Sequence, residues 1–177
     1  MEMGKKISIF LLILLSFGVF TPIFKPVTAH AESEEIFNQS GLPIPRFVSL
    51  RSDKVFVRTG PALRYPIKWI YTKESLPVEI IQEFDTWRKI RDIEGGEGWI
   101  HQSLLMGKRH GIVTDKKGVY LMRKPVTNAR PVVMLEPNVI IALGQCSGAW
   151  CYGEVQGFKG WIERKSLWGI YEQEELD

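Results

Sequence analysis

Long apolar runs are scarce in this chain: the one that matters is Ile7 to Phe20, 14 residues closed by Thr21-Pro22. A bilayer-spanning helix needs about 20 apolar residues, so an uncleaved anchor is the weaker reading. Lys5 and Lys6 precede the run and Ala29-His30-Ala31 offers small residues at both cleavage positions, which identifies residues 1–31 as an export signal cut after Ala31. Cysteine is nearly missing, with only Cys146 and Cys151 in "CSGAWC". No cysteine stands near the cleavage site, which argues against a lipid-modified protein, and a metal centre there would lack two of its four ligands. Histidine is equally sparse; outside the signal only His101 and His110 remain as bases for a thiol nucleophile. No stretch after the signal sustains a helical period, which argues against a helical domain.

Removal of residues 1–31 leaves 20 basic against 19 acidic residues, a net charge of +1. The distribution is uneven. Residues 32–45 carry three acids and no base, 46–109 twelve bases and eight acids, 110–171 eight bases and four acids, and 172–177 four acids. Two basic blocks between acidic ends suit an acidic partner; for an exported protein that means wall carboxylates, phosphorylated glycolipids or an acidic protein rather than nucleic acid. An ordinary solvated surface is the plainer reading of the same charges. In an oxidising compartment the adjacent cysteines are expected to form a disulfide across a hairpin.

At a shift of 62 to 65 residues the chain matches itself, a sign to be sought before any fold is assigned. Val55-Phe56-Val57-Arg58 meets Val119-Tyr120-Leu121-Met122, Pro61 meets Pro125, Pro66-Ile67 meets Pro131-Val132, Trp87 meets Trp150, and Gly98-Trp99-Ile100 meets Gly160-Trp161-Ile162. Within each unit short alternating runs are separated by turn residues, the pattern of strands. Units of about 60 residues bury a core only by curling into compact barrels. The expected fold is all-β: a signal peptide (1–31), an acidic flexible segment (32–45), barrel 1 (46–109), barrel 2 (110–171) and an acidic tail (172–177), with "MGKRHG" as the joint. Gly96 and Gly98, like Gly157 and Gly160, should shape hairpins, and Trp99 and Trp161 should plug the barrels, with the following Ile on the opposite face.

Residues 41–171 resemble the bacterial SH3-like (SH3b) family, in the tandem form of exported alphaproteobacterial proteins. The resemblance rests on V-R-x-G-P at Val57 to Pro61, W-R-x-I at Trp87 to Ile90, and the closing G-W-I. The chain departs from the pattern at Phe56, where Asn is usual, at Met122-Arg123-Lys124-Pro125, where R-x-G-P would stand, and at Gly153, matched by Ile90. The resemblance implies a periplasmic binding module without catalysis or cofactor, recognising cell-wall peptide, glycan or an envelope protein.

For ligand contact the candidates are Arg58, Arg64, Tyr65, Trp69 and Tyr71. Tyr65, Trp69 and Tyr71 share a strand face with Ile67, so an inward Ile70 would leave an exposed aromatic strip beside two arginines; an inward Trp69 would instead expose Ile70. Arg58 suits a carboxylate or, more plainly, a neighbouring surface acid. Trp87, Trp99, Trp150 and Trp161 read as core. Glu83 and Asp85 in "EFDTW" share a face but read as solvated turn acids. The favoured function is a wall-binding module; the alternative is a bivalent adaptor for an envelope enzyme, and the least favoured is a hydrolase using Cys146, Cys151 and His101.

Overall fold

A computed structural model describes residues 38–177; the expected signal and its cleavage point lie outside the described residues. No helix among the described residues is long and apolar enough to cross a membrane. The described chain is all-β and forms two seven-stranded antiparallel sheets. The first contains β1 (Arg46–Leu50), β2 (Val55–Arg58), β3 (Ile67–Tyr71), β4 (Pro77–Phe84), β5 (Trp87–Arg91), β6 (Glu97–His101) and β7 (Leu105–Met106), in the order β3-β2-β6-β5-β4-β1-β7. The second repeats it with β8 (His110–Val113), β9 (Val119–Met122), β10 (Pro131–Leu135), β11 (Ile140–Ser147), β12 (Trp150–Val155), β13 (Phe158–Glu163) and β14 (Leu167–Trp168), in the order β10-β9-β13-β12-β11-β8-β14. Each sheet curls around its own core: Leu50, Val55, Val57, Val78, Ile90 and Ile100 in barrel 1, and Val113, Leu121, Ile141, Ile162 and the two cysteines in barrel 2.

The G-W-I motif works differently from the expectation. Ile100 and Ile162 are fully buried, whereas Trp99 and Trp161 are half-buried on the other face of their strands. Alternation puts Gly98 and Ile100 inward together. A Cβ at Gly98 would overlap Val57 Cγ1, and one at Gly160 would lie 2.8 Å from the Met122 carbonyl oxygen. These glycines therefore permit the close crossing of β6 over β2 and of β13 over β9 and do not make the turns. The turn work falls to Gln156 and Gly157, at φ 49° and 83°, which suits the tight turn between β12 and β13.

Turn hydrogen bonds fix the register of the repeat. Thr59 N donates to Pro66 O and Arg123 N to Arg130 O, so Pro66 corresponds to Arg130 and the shift stays at 64 residues through this loop. The alignment of Pro66 with Pro131 is corrected by one.

The two barrels are packed together through named side chains. His110 Nδ1 lies 2.9 Å from Ser49 Oγ, both buried. The Phe47 ring meets Trp168 edge-on at 5.0 Å and Tyr171 at 4.7 Å. Tyr171 donates its hydroxyl to Glu79 Oε1 at 2.7 Å. Burial, followed by that hydrogen bond, pushes the Tyr171 hydroxyl well above its ordinary range.

Candidate functional site

Strand β3 decides the fate of the aromatic candidates. Val57 pairs with Trp69 and Val55 with Tyr71, both opposite fully buried valines, while a bulge between Val57 and Arg58 sets Ile67 against Arg58. The extra residue, Lys68, reverses the parity of the strand. Trp69 and Tyr71 turn toward the barrel 1 core, and Ile67 and Ile70 stand exposed at 45% and 44%. Of the two orientations the sequence leaves open, the structure takes the inward Trp69, and the exposed aromatic strip does not exist. Tyr71 donates to Asp92 Oδ2 at 2.7 Å. Burial and that bond raise its hydroxyl pKa far above the ordinary value.

Arg58 grips neither a ligand-ready space nor a surface acid. Its Nη1 donates to the carbonyls of Leu63 and Tyr65, at 3.0 and 2.8 Å, which ties down the loop after β2. Tyr65 packs against Gly60, where any Cβ would strike its ring. Arg64 remains exposed, stacked 5.1 Å from the Tyr65 ring centroid.

Arg64 also lines a cleft of about 570 Å³ with Ala62, Leu63, Thr86, Trp87 and His101. Leu63 is 76% exposed, and His101 meets the edge of Trp87 at 5.5 Å. The second barrel repeats the cleft. Thr127, Ala149, Trp150 and Glu163 correspond to Leu63, Thr86, Trp87 and His101, and there the cavity reaches about 770 Å³, extended by Arg164, Lys165 and the chain after β14. Among the ligand-contact candidates only Arg64 lines this cleft, and His101, considered only as a base for a nucleophile, lines it too. Trp87 is buried at 7% exposed, as a core residue should be, and it also lines the cleft. The available signal was the pair Trp87 and Trp150 recurring beside variable loops.

Glu83 is the largest departure from the sequence reading. It is fully buried, not a solvated turn acid, because Arg46 Nη2 lies 2.7 Å and Arg88 Nε 3.2 Å from its Oε1. Ser40 adds its backbone N–H and its hydroxyl, each at 2.8 Å. Burial alone would raise the carboxyl pKa, but the bonds from Arg46 and Ser40 and the charge of Arg88 outweigh it and hold the pKa below the ordinary range. Asp85, by contrast, sits exposed in the turn at φ 50°.

At the equivalent register of barrel 2 stand the cysteines. Glu83 pairs with Arg88 across β4 and β5, and Cys146 pairs with Cys151 across β11 and β12. Cys146 and Cys151 are joined by a disulfide, and no free cysteine is present among the described residues. The thiol needed for a Cys-His nucleophile is therefore consumed. The ends of the described chain dock at the same two positions: Ser40 on Glu83, and Leu176, through paired backbone bonds of 2.9 and 3.1 Å, on Cys146. Residues 38–45 of the segment expected to be flexible carry these and other hydrogen bonds, and Glu174 of the acidic tail pairs with Arg109.

Comparison with known proteins agrees with this duplication. The sequence profile of the family described as "Bacterial SH3 domain" matches residues 51–107 and again residues 115–169. No curated protein matches the chain. Among solved structures the chain is similar to NlpC2 from Trichomonas vaginalis (13% identity, 70% of this chain and 48% of that one, TM-score 0.33). It is also similar to NlpC1 from the same organism (14%, 72% and 47%, TM-score 0.33). A third is an NlpC/P60 family protein from Bacillus cereus (11%, 69% and 55%, TM-score 0.32). The chain spans about half the length of each.

Proposed function

Because this chain belongs to the bacterial SH3 domain family, whose members are generally cell-wall binding modules, we propose that it is a periplasmic wall-binding protein. It takes wall glycan or peptide in the barrel 1 cleft between Leu63, Arg64, Trp87 and His101. The observation that carries this reading is the recurrence of a cleft at the same place in both barrels. Trp87 gives the barrel 1 cleft an aromatic lining, which accepts sugar faces and peptide side chains, and Arg64 supplies a cation. The disulfide fits an oxidising compartment. No step of chemistry is assigned to the site; the module binds.

The test is co-sedimentation of residues 32–177 with purified peptidoglycan, beside a Leu63→Asp, Arg64→Glu variant. Both side chains are exposed, so folding should survive. The wild type should pellet and the variant should stay in the supernatant. Wild type remaining soluble across a range of salt overturns the reading. The presence of two clefts on one compact unit keeps the adaptor as a second reading. Crosslinking in cells that returned a reproducible envelope protein through the barrel 1 cleft would favour it.

A further inference from the structure

The two barrels provide an internal comparison at three positions. In barrel 1, Glu83 and Arg88 form a buried ion pair, and Arg88 Nη2 donates to Gln102 Oε1 at 2.6 Å. In barrel 2 the same positions hold Cys146, Cys151 and Arg164. Gln102 and Arg164 correspond because each opens the 3-10 turn after its closing strand and donates its backbone N–H to the residue before the tryptophan, Thr86 or Ala149. In barrel 1 the Glu83 carboxylate lies between Arg46 and Arg88. The barrel 2 trio replaces the ion pair with a neutral disulfide and places a guanidinium where an amide stood, so its one cation has no acid at the equivalent positions.

Arg164 is 5% exposed. Its Nη1 donates to the carbonyls of Tyr171 and Glu174, but Nε and Nη2 are buried without a hydrogen-bond partner, and Arg164 forms no ion pair among the described residues. Two of the nearby acids are held by other cations, although the Glu174 carboxyl also feels the charge of Arg164. Glu174 is held by Arg109, and Glu163 lies 2.6 Å from Lys165. Glu172 is the remaining acid of the lining. A buried charge with idle donors is costly, and the arginine fork fits a carboxylate with two parallel bonds. The apolar floor of the cleft, Trp150, Leu167 and Ile170, suits a short carbon chain behind the acid group.

From this arrangement we infer that the barrel 2 cleft is a carboxylate-binding site, with Arg164 as the anchor and Lys165 as the rim cation. Since Nε and Nη2 are covered, binding requires the side chains that line the cleft beside Arg164 to move aside. The inference stands apart from the barrel 1 reading, because it concerns another cleft and is tested with soluble probes and no wall material.

The experiment is an NMR titration of the disulfide-intact chain with N-acetyl-alanyl-alanine, its C-terminal amide, and glucuronate. The free peptide acid should shift the amides of Ala149, Trp150, Glu172 and Gln173 and bind at least about tenfold more tightly than the amide. Glucuronate binding as well assigns recognition to the carboxylate alone; its failure beside a binding peptide acid assigns it to a peptide end. Equal binding of acid and amide, or none by either acid, overturns the inference. Arg164→Gln should abolish the acid preference. That variant also loses its bonds to Tyr171 and Glu174, so the acid-to-amide ratio on the wild type decides the matter if the variant misfolds.

Discussion

Glu83 shows how one residue can hold the segment before β1, a strand and a hairpin at once. Its carboxylate joins Ser40, Arg46 and Arg88 inside barrel 1, and removal of one partner from a buried ion pair leaves the others uncompensated. Glu83→Gln is expected to cost about 3 to 5 kcal/mol of stability, measured by chemical denaturation. The pH dependence has a definite sign. A carboxyl whose folded pKa is depressed contributes fully above its unfolded value of about 4.3 and loses that contribution as pH falls through the folded value. Acid titration of stability should therefore be steeper in the wild type than in Glu83→Gln below about pH 4.3. None of this was legible in "EFDTW", because burial of an acid depends on cations that arrive from other strands. The Trp99 and Ile100 inversion had a legible half: period-two alternation separates the two side chains, but which one faces inward depends on the β2 strand that Gly98 must cross.

The hairpins β4–β5 and β11–β12 solve one problem in two chemistries. Both have a cross-strand partnership at the same register, both lie next to a bulge, and both receive a segment from outside the barrel strands. If the backbone is truly equivalent, the chemistry should be exchangeable. Glu83→Cys with Arg88→Cys is expected to be oxidised by dissolved oxygen or oxidised glutathione to a second disulfide, read as two fewer free thiols by alkylation and mass spectrometry; persistent free thiols would refute the equivalence. Reduction of Cys146–Cys151 should cost about 2 kcal/mol, the low end expected of a short closed loop. It should also raise hydrogen exchange at Leu176, whose amide bonds to the Cys146 carbonyl. Gly153 completes the parallel. A Cβ there would lie 2.6 Å from Ile141 Cδ1, so the cross-strand isoleucine fills the space that Ile90 fills in barrel 1. Strands, repeat and disulfide were readable from period, self-similarity and cysteine spacing. The β3 bulge was not, and its extra residue takes Ile67 off the face that Trp69 and Tyr71 share.

At the scale of the molecule, "MGKRHG" is a packed joint and His110 is its buried polar centre. Its Nδ1 faces the Ser49 hydroxyl, Lys108 adds a like charge, Glu74 opposes it weakly, and the aromatic cluster of Phe47, Trp168 and Tyr171 packs the same interface. Burial first, and Lys108 second, hold the imidazole pKa below its ordinary value. An unfolded chain then takes up a proton near pH 6.5 that the folded chain refuses until lower pH. Stability must fall as the solution is acidified through this window, well before the carboxyl groups respond. His110→Asn, which retains a polar group beside Ser49, should be flatter between pH 7 and the folded value, and the two curves should become parallel once both proteins enter the carboxylate range. Denaturant midpoints measured every half unit of pH would check this. A wild type with no slope until the carboxylate range would mean that His110 keeps its proton freely, and that the joint between the barrels opens to water more readily than its buried contacts imply.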